Sequence, residues 1–309
     1  MISFTMGVWY NLYIFGKDGS GLRTGYYETK TEYTKEYKQS CWNAAIGLQE
    51  VDGLEVSEYL RELSYKEIEG ELTHYEIEEL LYKKYETEES AVDRKKEADI
   101  VSTRIAALLL EPGFTLSPMT LKYIHKTLFA GIYDHAGNFR GYNISKDEPI
   151  LGGRTVKYAN YQMIDDTFAY DFEQEKRKSY SGMNQKEIIK RIAEFTSSIW
   201  QVHPFGEGNT RTTAVFIQKY LNYMGFSVDN SLFLENSLYY RNALVRSNYG
   251  DYTKGVVPSM KYLENFYENL LFNGEYELKN RDMFVNEYVE DVRKLLKEDS
   301  IYNGVQIEK

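Results

Sequence analysis

Residues 186–211 read KEIIKRIAEFTSSIWQVHPFGEGNTR, and they carry the strongest pattern in the sequence. The first part has an apolar stripe at helical spacing, formed by Ile188, Ile192, Phe195 and Ile199. Such a stripe predicts a buried helix. Proline and glycine then break the period before helical spacing returns over 212–223. We therefore predict two helices joined by a glycine-rich loop.

The loop from His203 to Arg211 combines residue types that suit a phosphate site. Glycines let the main chain approach an anion closely, and amides at the start of the next helix donate to phosphate oxygens. Glu207 would repel a phosphate unless a divalent metal such as Mg²⁺ bridges the two groups. Arg211 offers a bidentate grip on phosphate, and His203 can accept a proton at neutral pH. The combination favours phosphate chemistry over an ordinary interhelical turn.

The rest of the chain is mainly helical in its spacing. Further helices are predicted from about residue 57, within 72–85 with a capping box of Thr73 and Glu76, at 91–110, after Ser117-Pro118, from about 161, and at 238–248, 260–272 and 284–297. One β-hairpin is expected within 7–34, and a second within 136–160 with Gly152-Gly153 in its turn. The predicted fold class is mainly α with a small β-hairpin.

Composition limits the classes of function. The 309 residues include 47 acidic and 37 basic side chains, a formal charge of −10, which disfavours binding to nucleic acid. The single cysteine, Cys41, permits no internal disulfide. No apolar run approaches the roughly 20 residues that cross a bilayer, and no secretory signal is recognisable. We expect a cytoplasmic protein that binds neither nucleic acid nor membrane.

The loop resembles the signature of Fic-domain proteins, H-P-F-x-[D/E]-G-N-G-R-x-x-R, which occupies such a loop in an all-α core. Upstream, LSPMTLKYIHKTLFAGIYDHAGNFRGYNISK resembles the opening of that core, and ILGGRTVKYA stands where the family has a hairpin flap. The resemblance spans about residues 60–272. It implies a Mg²⁺-dependent adenylyltransferase that moves AMP from ATP to a Ser, Thr or Tyr hydroxyl.

The resemblance also implies a role for each matching residue. His203 is the implied general base, Glu207 the Mg²⁺ ligand, and Phe205 a core anchor. The implied nucleotide contacts are Gly206, Gly208, Asn209, Thr210 and Arg211 in the loop, with Tyr240 and Asn248 lining the adenine pocket. The flap, residues 150–159, is implied to dock the target protein by strand addition.

Two positions depart from the family signature. Thr210 stands where the family has glycine, and Ala214 stands where it has a final arginine that holds the terminal phosphate. Three alternatives therefore stay open beside adenylyl transfer. They are a different nucleotide or phosphodiester donor, removal of the modification, and a nucleotide-binding regulatory module with weakened catalysis.

The N-terminal region, 1–110, contains a candidate inhibitory element. Residues 64–70 resemble the family's [S/T]-x-x-x-E-[G/N] element, with Glu69 as the obstructing carboxylate. Tyr65 stands at the Ser/Thr position and the usual arginine partner is missing, so an ordinary acidic helix is the alternative. We predict a catalytic core at 111–272 and a helical extension at 273–309, and leave a homodimer open.

Four other residues receive mainly structural interpretations. His125 has apolar neighbours and is predicted to be a packed core residue, and His135 is expected to make a structural hydrogen bond. Arg140 and Lys146 lie near the flap. They are interpreted as exposed basic residues, with contact to phosphate or target as the less common case.

Overall fold

The computed structural model describes residues 33–86 and 93–285. Within these ranges the chain forms ten α-helices: α1 Lys35–Gly47, α2 Glu58–Glu69, α3 His74–Tyr85, α4 Asp93–Leu110, α5 Pro118–Phe129, α6 Ile164–Arg177, α7 Gln185–Val202, α8 Asn209–Tyr223, α9 Leu232–Asn248 and α10 Lys261–Phe272. The predicted mainly α fold is confirmed. Two predicted elements lie almost wholly outside the described residues. One is the hairpin expected within 7–34, of which only residues 33 and 34 are described, and the other is the helix expected at 284–297, of which only residues 284 and 285 are described.

Helix α8 occupies the centre of the fold. Every side chain from Asn209 to Leu221 is buried, because α4, α5 and α7 pack around it. Helix α7 in turn contacts α6, α9 and α10. The loop between α7 and α8 is therefore held between two packed helices. The apolar stripe predicted the burial of α7, whereas the complete burial of α8 was not predicted.

Local sequence signals place several helix ends correctly. Ser117 caps α5 by accepting a hydrogen bond from the amide of Thr120, and Pro118 takes the first helical position. Thr73 and Glu76 form the predicted capping box at the start of α3. These ends depend on contacts within four residues, so the sequence alone was sufficient to find them.

Helix α1 was not predicted, and it attaches the N-terminal region to the rest of the protein. It packs against α4 and α9. At Gly47 the contact with α9 is so close that a Cβ atom would lie 2.2 Å from the carbonyl oxygen of Phe233. Trp42 is fully buried, and its indole nitrogen donates to Glu67 at 2.6 Å.

The hairpin predicted around Gly152-Gly153 is wrong in its extent. A single antiparallel bridge, between Glu148 and Arg154, stands where a ladder was expected. Both glycines have the positive φ that a tight turn requires. The stretch Pro149–Leu151 instead forms a 3₁₀ turn whose apolar side chains enter the core, which prevents it from extending as a strand.

The chain that follows this turn, residues 155–159, has no helical or strand assignment. Its carbonyl groups bind side chains instead of a neighbouring strand. The amide of Gln201 donates to the oxygen of Lys157 at 3.2 Å, and the guanidinium of Arg140 donates to that of Ala159 at 2.5 Å. Residues 155–159 form the second half of the expected flap, and we call them the docking segment after the role that the family resemblance implies for that flap.

The described part of the predicted 273–309 extension reaches residue 285. It contains one short 3₁₀ turn, Asn280–Met283, after α10 ends at the left-handed residue Asn273. The fully buried Met283 packs into the core, so this part of the chain is anchored to the helices rather than separate from them.

Candidate active site

His203 marks the end of α7 and the start of the loop. It has φ 48° and ψ 59°, the left-handed conformation that non-glycine residues seldom adopt. Its amide donates to the carbonyl oxygen of Trp200 at 3.1 Å. The conformation ends the helix within one residue and turns the chain into the loop.

The imidazole of His203 has the form of a neutral base. It is buried, and Nδ1 lies 3.2 Å from the carbonyl oxygen of Trp200. Because a carbonyl only accepts, we assign the proton to Nδ1, which leaves the lone pair on Nε2. Nε2 has no hydrogen-bond partner in the part of the chain that the structure describes. Burial, reinforced by the charges of Lys146 and Arg140, lowers the pKa of His203 well below its usual value.

Asn209 fixes the shape of the loop. Its Nδ2 donates to the carbonyl oxygen of Phe205, and its Oδ1 accepts from the amide of Phe205, both at 2.9 Å. Both ends of the side-chain amide are therefore used inside the loop. The side chain therefore holds the loop, and the main-chain amide of Asn209 lies in the first turn of α8.

The two loop glycines are required by close packing. Gly208 has φ 71°, and a Cβ there would lie 2.3 Å from the ring of Phe129. A Cβ on Gly206 would lie 2.9 Å from Oη of Tyr142 and 3.1 Å from Nε2 of His135. Glycine at these positions lets the loop lie directly against α5 and the chain that follows it.

His125 and Phe205 anchor the loop from below. Their rings stack with centroids 3.7 Å apart and planes 12° from parallel, and both side chains are buried. Nδ1 of His125 accepts from the amide of Gly137 at 2.8 Å, so Nε2 carries the proton and binds the carbonyl oxygen of Glu207 at 3.1 Å. Burial lowers the pKa of His125 to about 4. It is a buried core residue, and it also holds the loop main chain.

Glu207 presents its carboxylate at the surface of the loop. The side chain is 55% exposed, and Oε2 lies 3.1 Å from Nζ of Lys146. Among the residues in the described ranges, no three His, Cys, Asp or Glu side chains form a metal site by themselves. Mg²⁺ is commonly held by one or two carboxylates together with substrate phosphates and water. Glu207 is a single accessible carboxylate that already pairs with the ammonium of Lys146, so it fits such a shared site.

The two departures from the signature have clear structural positions. Oγ1 of Thr210 accepts from the indole nitrogen of Trp200 at 3.0 Å, so the threonine joins the start of α8 to α7. Ala214 is fully buried in α8. At that position there is no cationic side chain to meet a terminal phosphate.

The guanidinium of Arg211 binds residues from the N-terminal region. Nε lies 2.8 Å from Asp52 and Nη2 lies 2.7 Å from Glu97, while Nη1 donates to Gln49 at 3.0 Å. Burial alone would lower the pKa of Arg211, but the charges of Asp52 and Glu97 outweigh it and raise the pKa. The guanidinium that was expected to bind phosphate is therefore occupied by two protein carboxylates.

An open cleft of about 290 Å³ lies beside the loop, and Glu207 and Arg211 form part of its wall. The other charged residues of the wall are Asp52, Arg94 and Glu97. Three carboxylates therefore face two guanidinium groups. A polyphosphate would need added positive charge to enter this cleft, which favours entry together with a metal ion.

Two expected nucleotide contacts serve the core in this structure. Tyr240 is fully buried, with its ring against those of Phe233 and Phe266. Nδ2 of Asn248 donates to the carbonyl oxygen and the hydroxyl of Ser197, at 3.3 and 2.9 Å, and so ties α9 to α7.

Glu69, the expected inhibitory residue, forms a surface ion pair with Lys35 at 2.5 Å. The carboxylates of the N-terminal region that reach the loop are instead Asp52 and Glu97. Neither belongs to a recognisable motif, and they are 45 residues apart in the chain, so no sequence signal indicated them.

The interpretation of Arg140 as an exposed residue is wrong. Its side chain is 5% exposed, and it donates to the carbonyl oxygens of Val202 and His203 at the end of α7. An arginine in a glycine-containing segment is usually solvated, so burial was not expected from composition. The fold supplies carbonyl acceptors that compensate the charge.

None of the described helices is both long and apolar enough to span a bilayer.

The part of the chain that contains the loop matches a known protein family. The model of the Fic/DOC family matches residues 115–221. The protein adenylyltransferase VbhT of Bartonella schoenbuchensis is 31% identical over 110 residues, which are 35% of this chain and 22% of VbhT. The chain thus matches about a fifth of the length of that relative.

Solved structures of low identity also match. BepC of Bartonella tribocorum, determined with bound AMPPNP, is 17% identical with a TM-score of 0.47, and the match covers 60% of this chain and 90% of BepC. A Fic-domain signalling protein of Bacteroides thetaiotaomicron is 17% identical with a TM-score of 0.44, covering 90% of this chain and 94% of that protein.

Proposed function

Because residues 115–221 form a Fic/DOC family domain, we propose that this protein is a Mg²⁺-dependent adenylyltransferase that moves AMP from ATP to a Ser, Thr or Tyr hydroxyl of a target protein. The observation that carries the proposal is His203. It is a buried, neutral imidazole whose Nε2 has no partner among the described residues, and it opens a glycine loop that leads into the N-terminus of α8. Such a pair of features suits proton removal beside a bound phosphate.

His203 acts as the general base in the proposed reaction. Nε2 takes the proton of the target hydroxyl while that oxygen bonds to the α-phosphorus of ATP. The bond from the α-phosphorus to the bridging oxygen breaks, and pyrophosphate leaves with the electron pair. The carbonyl of Trp200 holds the opposite nitrogen, Nδ1, and keeps Nε2 directed to the reacting oxygen.

The loop main chain binds the phosphates in the proposed complex. Amides from Gly206 to Thr210 lie at the positive end of α8, where negative charge is stabilised. The internal hydrogen bonds of Asn209 keep this shape before the substrate arrives, so little reorganisation is needed. Arg211 lines the same cleft and adds positive charge at its edge, although Asp52 and Glu97 compete for it.

Glu207 is the residue that would hold Mg²⁺. When bound there, the metal would neutralise charge on the α and β phosphates and so favour departure of pyrophosphate. In the structure Lys146 forms an ion pair with the Glu207 carboxylate, and we expect this ion pair to break when the metal binds.

The target protein would add a strand to the docking segment, residues 155–159, within the expected flap at 150–159. Recognition by strand addition uses main-chain groups, so the target would pair with those that Gln201 and Arg140 do not occupy. The ring of Tyr158 lies over His203, so a target bound here would place its hydroxyl near the base. We leave Tyr240 and Asn248 out of the proposed site because their side chains belong to the core.

A different donor is the second candidate. Ala214 supplies no charge for a terminal phosphate, and the cleft has more acidic than basic groups. These features favour a pyrophosphate whose second phosphate is esterified, as in CDP-choline, over a nucleoside triphosphate. The same base and loop would serve either donor.

We also propose a cytoplasmic location for the protein, where ATP is plentiful. The thiol of Cys41 is buried, and burial raises its pKa to about 12. In that compartment the thiol would stay reduced and unreactive.

The test uses the full-length protein with Mg²⁺ and ATP labelled at the α or the γ phosphate. Adenylyl transfer predicts that the α label, and not the γ label, becomes attached to protein, by self-modification if no target is present. We expect His203→Ala to lower labelling at least 100-fold, and His74→Ala, on the remote helix α3, to leave it unchanged. Parallel reactions with labelled GTP, UTP and CDP-choline identify the donor. Equal labelling of wild type and His203→Ala, or no labelling from any donor, would overturn the proposal.

A further inference from the structure

Arg140 joins the end of α7 to the docking segment. Its Nε donates to the carbonyl oxygen of His203 at 2.8 Å, and its Nη2 donates to those of Val202 at 3.2 Å and Ala159 at 2.5 Å. Its own amide donates to the carbonyl oxygen of Pro204 at 2.7 Å. One buried residue therefore contacts three consecutive peptides around the base and the last residue of the docking segment.

The contacts at the end of α7 fix the peptide that carries His203. The last carbonyls of a helix have no partner within it, and a cation placed there also interacts favourably with the helix dipole. His203 has a left-handed conformation that a non-glycine residue keeps only when its surroundings impose it. The bond from Arg140 to its carbonyl and the bond to the carbonyl of Pro204 both hold the main chain in this conformation. The imidazole is attached to the main chain held in this way, and Trp200 binds its Nδ1.

The contact with Ala159 extends this control to the docking segment. Nη2 is shared between Ala159 and Val202, so a shift of the docking segment acts on the end of α7 through one nitrogen. The Arg140 charge also helps to keep the imidazole neutral, in addition to burial and Lys146.

We propose that Arg140 is a positioning residue, which holds His203 in its reactive orientation and couples that orientation to the docking segment. The proposal rests on the proposed function of His203 as a base. Arg140 touches no reacting atom, so its loss should lower kcat and leave the KM for the nucleotide within about twofold of wild type.

The position requires a guanidinium because a single side chain must donate to several carbonyl oxygens that lie in different directions around it. Its Nη1 donates to the carbonyl oxygen of Tyr142 at 2.6 Å, in addition to the bonds made by Nε and Nη2. The ammonium of lysine is a point donor at the end of a flexible chain and cannot reproduce this fork. We therefore expect Arg140→Lys to be folded but impaired.

The experiment compares Arg140→Lys and Arg140→Ala with Arg177→Lys, a matched change of an exposed arginine on α6. Thermal unfolding first establishes that each variant is folded at the assay temperature. We expect kcat to fall at least 30-fold in Arg140→Lys and not at all in Arg177→Lys. Added guanidinium ion should increase the activity of Arg140→Ala at least tenfold, whereas added methylammonium should not increase it.

A second readout does not require catalysis. Nitrogen-15 NMR of histidine-labelled protein, assigned with His203→Ala, reports which ring nitrogen of His203 carries the proton. Wild type should show Nδ1 protonated, and folded Arg140→Lys should show a mixture of both forms. If wild type transfers no label, this measurement still tests the positioning role by itself. A folded Arg140→Lys with wild-type kcat, or with an unchanged His203 spectrum, would overturn the proposal.

Discussion

The phenol ring of Tyr158 lies over the imidazole of His203, with ring centroids 4.2 Å apart and planes inclined by 33°. Oη of Tyr158 donates to the buried carboxylate of Glu148 at 3.2 Å, and Glu148 pairs with Arg241 on α9 at 2.8 Å. The ring that covers the base is therefore anchored to α9 through Glu148. Nε2 is itself buried, so Tyr158 is one of the side chains that shield the base.

Removal of the cover should make His203 accessible. In Tyr158→Ala we expect carbethoxylation of His203 by diethyl pyrocarbonate to be at least tenfold faster than in wild type. We also expect the pKa of His203 to rise toward its ordinary value, because the charged imidazole is better solvated when the ring is less buried. Mass spectrometry of the modified peptide and NMR titration measure the two effects. Tyr170→Ala, at an exposed position on α6, is the control, and identical reactivity in both variants would show that Tyr158 does not shield the base.

His125 should make the fold sensitive to acid. Burial lowers its pKa from 6.5 to about 4, so between these values the unfolded chain binds more protons than the folded one. Stability therefore falls as the pH drops through this window. At pH 4.5 the loss from this residue is about 2.5 kcal/mol relative to pH 7.5.

Urea unfolding of wild type and His125→Gln at pH 7.5 and 4.5 measures this contribution. The loss of unfolding free energy on acidification should be about 2.5 kcal/mol smaller in the variant. Parallel pH dependence in the two proteins would contradict a neutral, buried His125.

Substitution of Gly208 should be costly for two separable reasons. Alanine there takes a left-handed backbone and also clashes with Phe129, so Gly208→Ala should lower the free energy of unfolding by about 3 kcal/mol. Gly182 has φ 80° with nothing within 4 Å of the Cβ position, so Gly182→Ala should cost only about 1 kcal/mol. Urea titrations compare the two, and equal costs would mean that the loop does not pack on Phe129 as described.

Asp52 should oppose nucleotide binding. Its carboxylate lines the cleft and holds Arg211 at 2.8 Å. In Asp52→Asn the cleft loses one negative charge and the guanidinium is held less firmly. We expect the Kd for ATP with Mg²⁺ to fall about fivefold, about 1 kcal/mol. Calorimetric titration measures it, with Glu58→Gln on the surface of α2 as the charge-matched control. An unchanged or weaker affinity would show that Arg211 and Asp52 act only in holding the fold together.

The sequence predicted the parts of the site that depend on neighbouring residues. The apolar stripe of α7, the glycine loop and the caps of α3 and α5 each arise within a few positions of one another. It did not predict helix α1, whose burial depends on α4 and α9. The short hairpin was wrong because the apolar residues at 150 and 151 gained more from entering the core than from extending a strand.

The amino-acid sequence by itself determined which chemistry the loop can offer, because a histidine, a carboxylate and glycines before a helix have those properties in any fold that keeps them adjacent. Only the tertiary structure decided which groups control them. Arg140 meets His203 across 63 positions, and Arg211 meets Gln49 across 162. Hydrophobic periodicity reports local structure and carries no record of such partners. A charged side chain becomes buried only where the folded chain brings acceptors to it, and that is settled by the packing of all the helices together.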